Sequence, residues 1–235
     1  MEATDLPGGT RPAVEATPPL PAATVIVLHD GPSGLETLLL RRDARGAFGG
    51  MWVFPGGRVD PADTDPQHPE DELAAARRAA CREAREEAGL VIEPHALVPF
   101  AHWVPPPIAP KRFATWFFAV AGAERDVVVD GGEIHDHVWV PPAEALARHG
   151  RGELALAPPT WVTLHQLADY GSVAATLDAV ASRTPERFAT RPLEVDGQPV
   201  LTWHGDVAYE SGQDGPGPRH RLWMLDGGWR YERFG

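Results

Sequence analysis

The chain has 235 residues, 43% of them hydrophobic and 23% charged, with a formal net charge of −12 at pH 7. That length can bury a substantial core, while the acidic balance argues against nonspecific partners such as nucleic acid or an anionic membrane, which need basic patches. A single cysteine, Cys81, excludes an intramolecular disulfide framework and fits a reducing, cytoplasmic location.

Residues 1–21 are rich in Pro, Ala, Thr and Gly and lack apolar periodicity, which predicts a disordered N-terminal tail. The tail has no basic-then-apolar leader, and no apolar run is long enough for a membrane span. Ala23 to His29 is a continuous apolar run that predicts a buried strand, Asp30 to Gly34 a turn, and Glu36 to Arg42 a second strand. A Gly-containing loop leads to a short strand, Met51 to Phe54, and a Gly56-Gly57 turn. Beyond a Pro- and Asp-rich loop, a helix is predicted from about Pro69 to Ala88 and is ended by Gly89. Leu73, Ala80, Cys81 and Ala84 would face its core side, Cys81 as a small buried filler.

Val98 to Val104 and Arg112 to Ala121 predict strands joined by a proline-rich loop, Ile134 to Val140 another strand, and Pro141-Pro142 the start of a helix through His149. The aromatic residues between Trp103 and Phe118 are assigned to core packing rather than base stacking. Pro159 and Gly171 bracket a helix over 160–170, and Ser172 caps another through Ala181. Short strands broken by Pro and Gly are expected near 199–204, 220–225 and at the end of the chain. Residues 22–150 thus read as a core and 151–235 as an extension packed on it.

The helix before Gly89 carries Arg82, Glu83, Glu86 and Glu87. At about 100° per residue, the three carboxylates share one face. Like charges at i,i+4, as at Glu83 and Glu87, cost a few tenths of a kcal/mol, about 0.2–0.5. Such a run is often a solvated face with Arg82 and Glu86 paired; beside a Gly-Gly turn, it asks for a hard divalent cation with oxygen ligands.

Arg82-Glu83-Ala84-Arg85-Glu86-Glu87-Ala88-Gly89-Leu90 resembles the second half of the Nudix box, with Gly57 as the box's opening glycine. Ala84 is smaller than the usual aliphatic residue. An Asp-, Pro- and His-rich insertion separates Gly57 from Arg82, and Ala74 stands where the box has its first Glu. The resemblance implies an α/β fold, the α/β/α Nudix sandwich of a mixed sheet flanked by helices, here with a C-terminal extension of helices and short strands.

It also implies Mg²⁺ or Mn²⁺ held by Glu83, Glu86, Glu87 and the Gly57 carbonyl, with Arg82 orienting its neighbouring Glu. Glu83 or Glu133 would accept the proton of a metal-activated water attacking a nucleoside diphosphate linked to another moiety. Lys111 and Arg112 are candidate contacts to the substrate phosphates. His135 and His137 share a strand face but lack a third ligand for zinc.

Over residues 23–170 the chain resembles the branch of diphosphatases that act on coenzyme A and acyl-CoA, with an expanded box. The upstream part of that branch's signature is not intact, Arg42-Asp43 and Gly50-Met51 standing in its place. Alternatives are an ADP-ribose or nucleotide-sugar diphosphatase and a catalytically silent nucleotide sensor; the intact Arg82, Glu83, Glu86 and Glu87 set argues against silence. The partner implied is a small nucleoside diphosphate derivative, and a homodimer is compatible with it.

Overall fold

A computed structural model describes residues 18–44, 49–109, 112–122, 125–129 and 131–235. Its central feature is a mixed eight-stranded sheet. The strands are β1 (Leu20–Gly31), β2 (Gly34–Arg42), β3 (Trp52–Val53), β4 (Gly56–Arg58), β5 (Val98–Val104), β6 (Phe113–Ala121), β7 (Ile134–Val140) and β8 (Glu186–Ala189). The order is β3-β2-β1-β6-β5-β8, with β4 also paired to β1 and β7 to β2. β1 runs parallel to β6, and β5 parallel to β8.

The apolar run in β1 has a simple cause. Alternate side chains enter two separate cores: Val25 and Val27 pack with helix α1 (Glu72–Ala88), and Ile26 and Leu28 pack on the opposite side. A strand buried on both faces loses the polar alternation of a half-exposed one. On that opposite side lie α3 (Pro158–Leu167) and α4 (Val173–Ala181), with α2 (Pro142–Gly150) against α3.

α1 starts at Glu72, later than the sequence suggests, because Asp71 takes the N-cap and accepts from the Ala74 N–H at 2.9 Å. Gly89 ends it in the left-handed conformation, φ +70°. Its inner face is alanine: Ala76, Ala80, Ala84 and Ala88 are buried. Side chains this short let the helix lie close over β1 and β4. Cys81 packs against the same core as expected, although it is only partly buried.

Leu20 and Pro21, expected in the tail, belong to β1 and pair with Phe113 and Ala114. Residues 1–17 lie outside the described residues. β8 and β9 (Arg191–Val195) were not legible in the sequence. β8 lengthens the main sheet at its β5 edge. β9, β10 (Gln198–Thr202), β11 (Arg219–Trp223) and β12 (Arg230–Phe234) form a second, antiparallel sheet. Its centre is a buried pair: Arg221 Nε donates to Asp206 Oδ2 at 2.7 Å, and both side chains have zero exposure. Among the described residues no helix is long and apolar enough to cross a membrane.

Candidate active site

The site forms where α1 crosses the Gly-Gly turn. Thr24 of β1 donates its hydroxyl to the Pro55 carbonyl at 2.6 Å, pinning the turn to the strand. Gly56 is required by approach rather than by φ: a Cβ there would lie 2.6 Å from Thr24 Cα. At Gly57 a Cβ would instead run into the Glu83 carboxylate. One glycine therefore lets two strands meet, and the next makes room for a side chain from the helix.

Glu87, 4% exposed, accepts the Gly56 N–H at 2.9 Å. Burial drives its carboxyl up to about 7, against the opposing pull of that N–H and of Arg42. Burial also raises the Glu83 carboxyl, partly offset by its hydrogen bond from Arg82. Glu86, the third carboxylate, is more exposed and accepts from Arg82 at 3.1 Å.

Arg82 is held on several sides. It donates to Glu83 at 2.8 Å, to the Arg58 carbonyl at 2.9 Å and to Asp63 at 2.9 and 3.2 Å. The Asp63 bond in particular holds its guanidinium well above the ordinary range. Asp63 comes from the insertion: a short 3-10 turn, Pro61–Asp63, closes on Asp60 in a capping box and buries it. Sequence reasoning missed Asp63, although the order Asp-Pro-x-Asp is the signal of such a turn.

Arg42 was missed as well. It joins Glu87 at 3.5 Å to Glu133 at 2.7 Å, bringing the later candidate carboxylate to the site. Glu133 is the exposed member, 70% accessible. Arg112 donates to the Pro105 carbonyl at 3.3 Å and is not among the described residues lining the cavity; Lys111 lies outside the described residues. His135 pairs with Asp43 at 2.6 Å.

Gly57, Glu83, Glu87 and Glu133 line one end of a cavity of about 690 Å³. Arginines sit among these carboxylates, and among the described residues no three His, Cys, Asp or Glu side chains are arranged to hold a metal as they stand. The donor chemistry nevertheless fits a hard divalent cation: all-oxygen groups, two of them carboxylates strained by desolvation, converge on glycines too small to obstruct them. Glu83, Glu86, Glu87 and the Gly57 carbonyl are the residues that would hold it.

The NUDIX domain family model matches residues 18–158. A NUDIX hydrolase from Alicyclobacillus acidocaldarius is similar at 24% identity over 72% of this chain and 99% of its own, with a TM-score of 0.63. A MutT NUDIX hydrolase from Burkholderia pseudomallei matches at 20% identity over 64% of this chain and 98% of its own, with a TM-score of 0.47. The NUDIX domain of Shewanella oneidensis NrtR, complexed with ADP ribose, matches at 16% identity over 65% of this chain and 88% of its own, with a TM-score of 0.49. The likeness to the Alicyclobacillus acidocaldarius protein is one of fold. No curated protein sequence matches the chain.

Proposed function

The chain belongs to the Nudix domain family, hydrolases of diphosphate-containing substrates, and from that premise we propose that it cleaves a nucleoside diphosphate linked to another moiety, with coenzyme A or an acyl-CoA as the preferred class. The observation that carries this reading is the packing of Glu83 against Gly57 and of Glu87 against Gly56 at one end of a long cavity.

A bound Mg²⁺ or Mn²⁺ supplies charge neutralisation and a more acidic water. Glu83, Glu86, Glu87 and the Gly57 carbonyl would hold the ion. Arg82, itself fixed by Asp63, keeps Glu83 turned towards the turn. Glu83 is the carboxylate packed on Gly57, and we assign it the water's proton; Glu133 is the second candidate, at the rim. Arg42, between Glu87 and Glu133, is placed to offset charge where the diphosphate enters.

Coenzyme A is favoured over ADP-ribose by the cavity's apolar reach beyond the carboxylates, where Trp103, Phe113 and Phe117 form the walls. The test is turnover of coenzyme A, ADP-ribose and a nucleotide sugar with Mg²⁺, with products identified. Release of adenosine 3′,5′-bisphosphate from coenzyme A supports the reading. Preference for ADP-ribose reassigns the substrate, and tight nucleotide binding without turnover of any of the three favours a sensor.

A further inference from the structure

Two arginines lie among the carboxylates at the Gly57 end of the cavity, and they are held differently. Arg82 is anchored outside the site as well as within it, to both oxygens of Asp63 and to the Arg58 carbonyl. It cannot leave Glu83 without giving up those bonds. The side-chain contacts of Arg42 among the described residues are with two site carboxylates, Glu87 Oε1 at 3.5 Å and Glu133 Oε2 at 2.7 Å. The first is at the long limit of a hydrogen bond, and the second is to an exposed side chain at the rim.

Arg42 reaches this place through a local irregularity. The pairing of β2 with β7 shifts register between Arg41 and Arg42, and a bulge of this kind re-aims a side chain. The backbone is fixed on the other side: the Arg42 N–H donates to the Met51 carbonyl at 3.1 Å, and the Arg42 carbonyl accepts the Gly50 N–H at 3.2 Å. The side chain, 24% exposed, is the part that can move.

Glu87 does not depend on Arg42 for its position. Its Oε2 accepts the Gly56 N–H at 2.9 Å, which holds the carboxylate from the turn. Oε1 is then the oxygen left for a cation, and the Arg42 guanidinium is on it. A guanidinium and a divalent ion compete for that oxygen and repel each other at such range.

We infer that Arg42 is an exchangeable counter-cation: it neutralises Glu87 until a divalent ion takes Oε1, and is then released to the cavity rim. The inference rests on the proposed metal-holding role of Glu83 and Glu87. Arg42 is thus a positioning residue that acts through Glu87, and its release puts a positive charge where the diphosphate enters.

The test is a Mn²⁺ titration followed by electron paramagnetic resonance at about pH 8, where a carboxyl raised to about 7 is mostly ionised. Arg42→Gln is expected to bind Mn²⁺ about two- to five-fold more tightly than the wild type, the worth of one partly exposed ion pair. Arg42→Lys keeps the charge and is expected to bind as the wild type does. A thermal melt checks that each variant is folded. One measurement needs no variant: phenylglyoxal labelling of Arg42 in the wild type, read by peptide mass spectrometry, is expected to quicken when Mn²⁺ is added.

Weaker or unchanged Mn²⁺ binding by Arg42→Gln would make Arg42 a fixed clamp and overturn the inference. So would labelling that Mn²⁺ slows or leaves unchanged, or an Arg42→Lys protein that binds as tightly as Arg42→Gln, since charge would then not be the cause. A wild type that takes up no Mn²⁺ contradicts the metal reading itself. A wild type that binds Mn²⁺ beside an Arg42→Gln protein that binds no tighter leaves that reading intact and strikes only the exchange.

Discussion

Arg82 and Asp63 form a two-point pair, Nη2 to Oδ2 at 2.9 Å and Nε to Oδ1 at 3.2 Å, with Asp63 only 5% exposed. The pair ties the insertion to the helix that carries the carboxylates, so the insertion is a buttress of the site. Removing Asp63 leaves a half-buried guanidinium without its main partner, a loss of about 2–3 kcal/mol for hydrogen bonds to a charged group. Asp63→Ala is expected to lower stability by about that amount in urea melts and to reduce kcat roughly tenfold as Glu83 loses its orientation. Unchanged kcat would show that Arg82 is held well enough by Glu83, Glu86 and the Arg58 carbonyl alone.

The two adjacent glycines separate folding from chemistry. Gly56→Ala drives a Cβ into the Thr24 backbone, which cannot give way without parting β4 from β1. It should lower the melting temperature by several degrees, about 4 °C or more. Gly57→Ala meets only the Glu83 side chain, which can swing aside. That protein should melt close to the wild type yet lose at least about tenfold in Mn²⁺ affinity, as expected when a metal ligand's orientation is disturbed. Equal melting losses in both variants would undo this distinction.

The legibility of the chain followed its local signals. Ile134–Val140 and Val98–Val104 fall where the apolar runs and flanking breakers put them, and Ser172 caps α4 through the Ala175 N–H as its position suggests. The carboxylate face of α1 could be read because helical periodicity is local. Asp63 and Arg42 reach the site from distant segments, so no spacing rule pointed to them. β8 escaped notice because a four-residue strand, Glu-Arg-Phe-Ala, has only Phe188 fully buried and its pairing with β5 is long-range. The Asp206–Arg221 pair was equally invisible: its charges suggest surface until β10 and β11 enclose them.

Glu87 gives the metal-free protein a pH signature. Its carboxyl, ordinarily near 4.5, is raised to about 7 by burial. A raised carboxyl contributes stability that is complete below the unfolded value and is lost as pH rises through the folded one. In EDTA, stability should therefore fall between about pH 5 and pH 8, by up to roughly 3 kcal/mol for Glu87. Urea melts of Glu87→Gln should show a shallower slope over that range, and saturating Mg²⁺ should flatten the wild type by holding the charged form. An identical slope in Glu87→Gln would assign the pH dependence elsewhere.

The second sheet depends on Asp206. Asp206→Ala leaves Arg221 charged and fully buried, with Asp214 at 2.8 Å as its remaining acidic partner among the described residues. The expected loss is about 3–5 kcal/mol, with hydrogen exchange rising first in β10 and β11. Because these strands lie away from Gly57 in the fold, Mn²⁺ affinity of the folded fraction should not change. A loss of metal affinity equal to that of Gly57→Ala would mean that the sheet shapes the carboxylate end directly.

In the proposed site Glu83 and Glu87 together hold a divalent cation against the Gly57 carbonyl. This is measured most directly by a Mn²⁺ titration followed by electron paramagnetic resonance, on the wild type and on Glu83→Gln and Glu87→Gln. Each substitution is expected to weaken binding about 10- to 100-fold, the range seen when a metal site loses a well-placed partner, while far-ultraviolet dichroism stays the same. Wild-type affinity in both variants would contradict it.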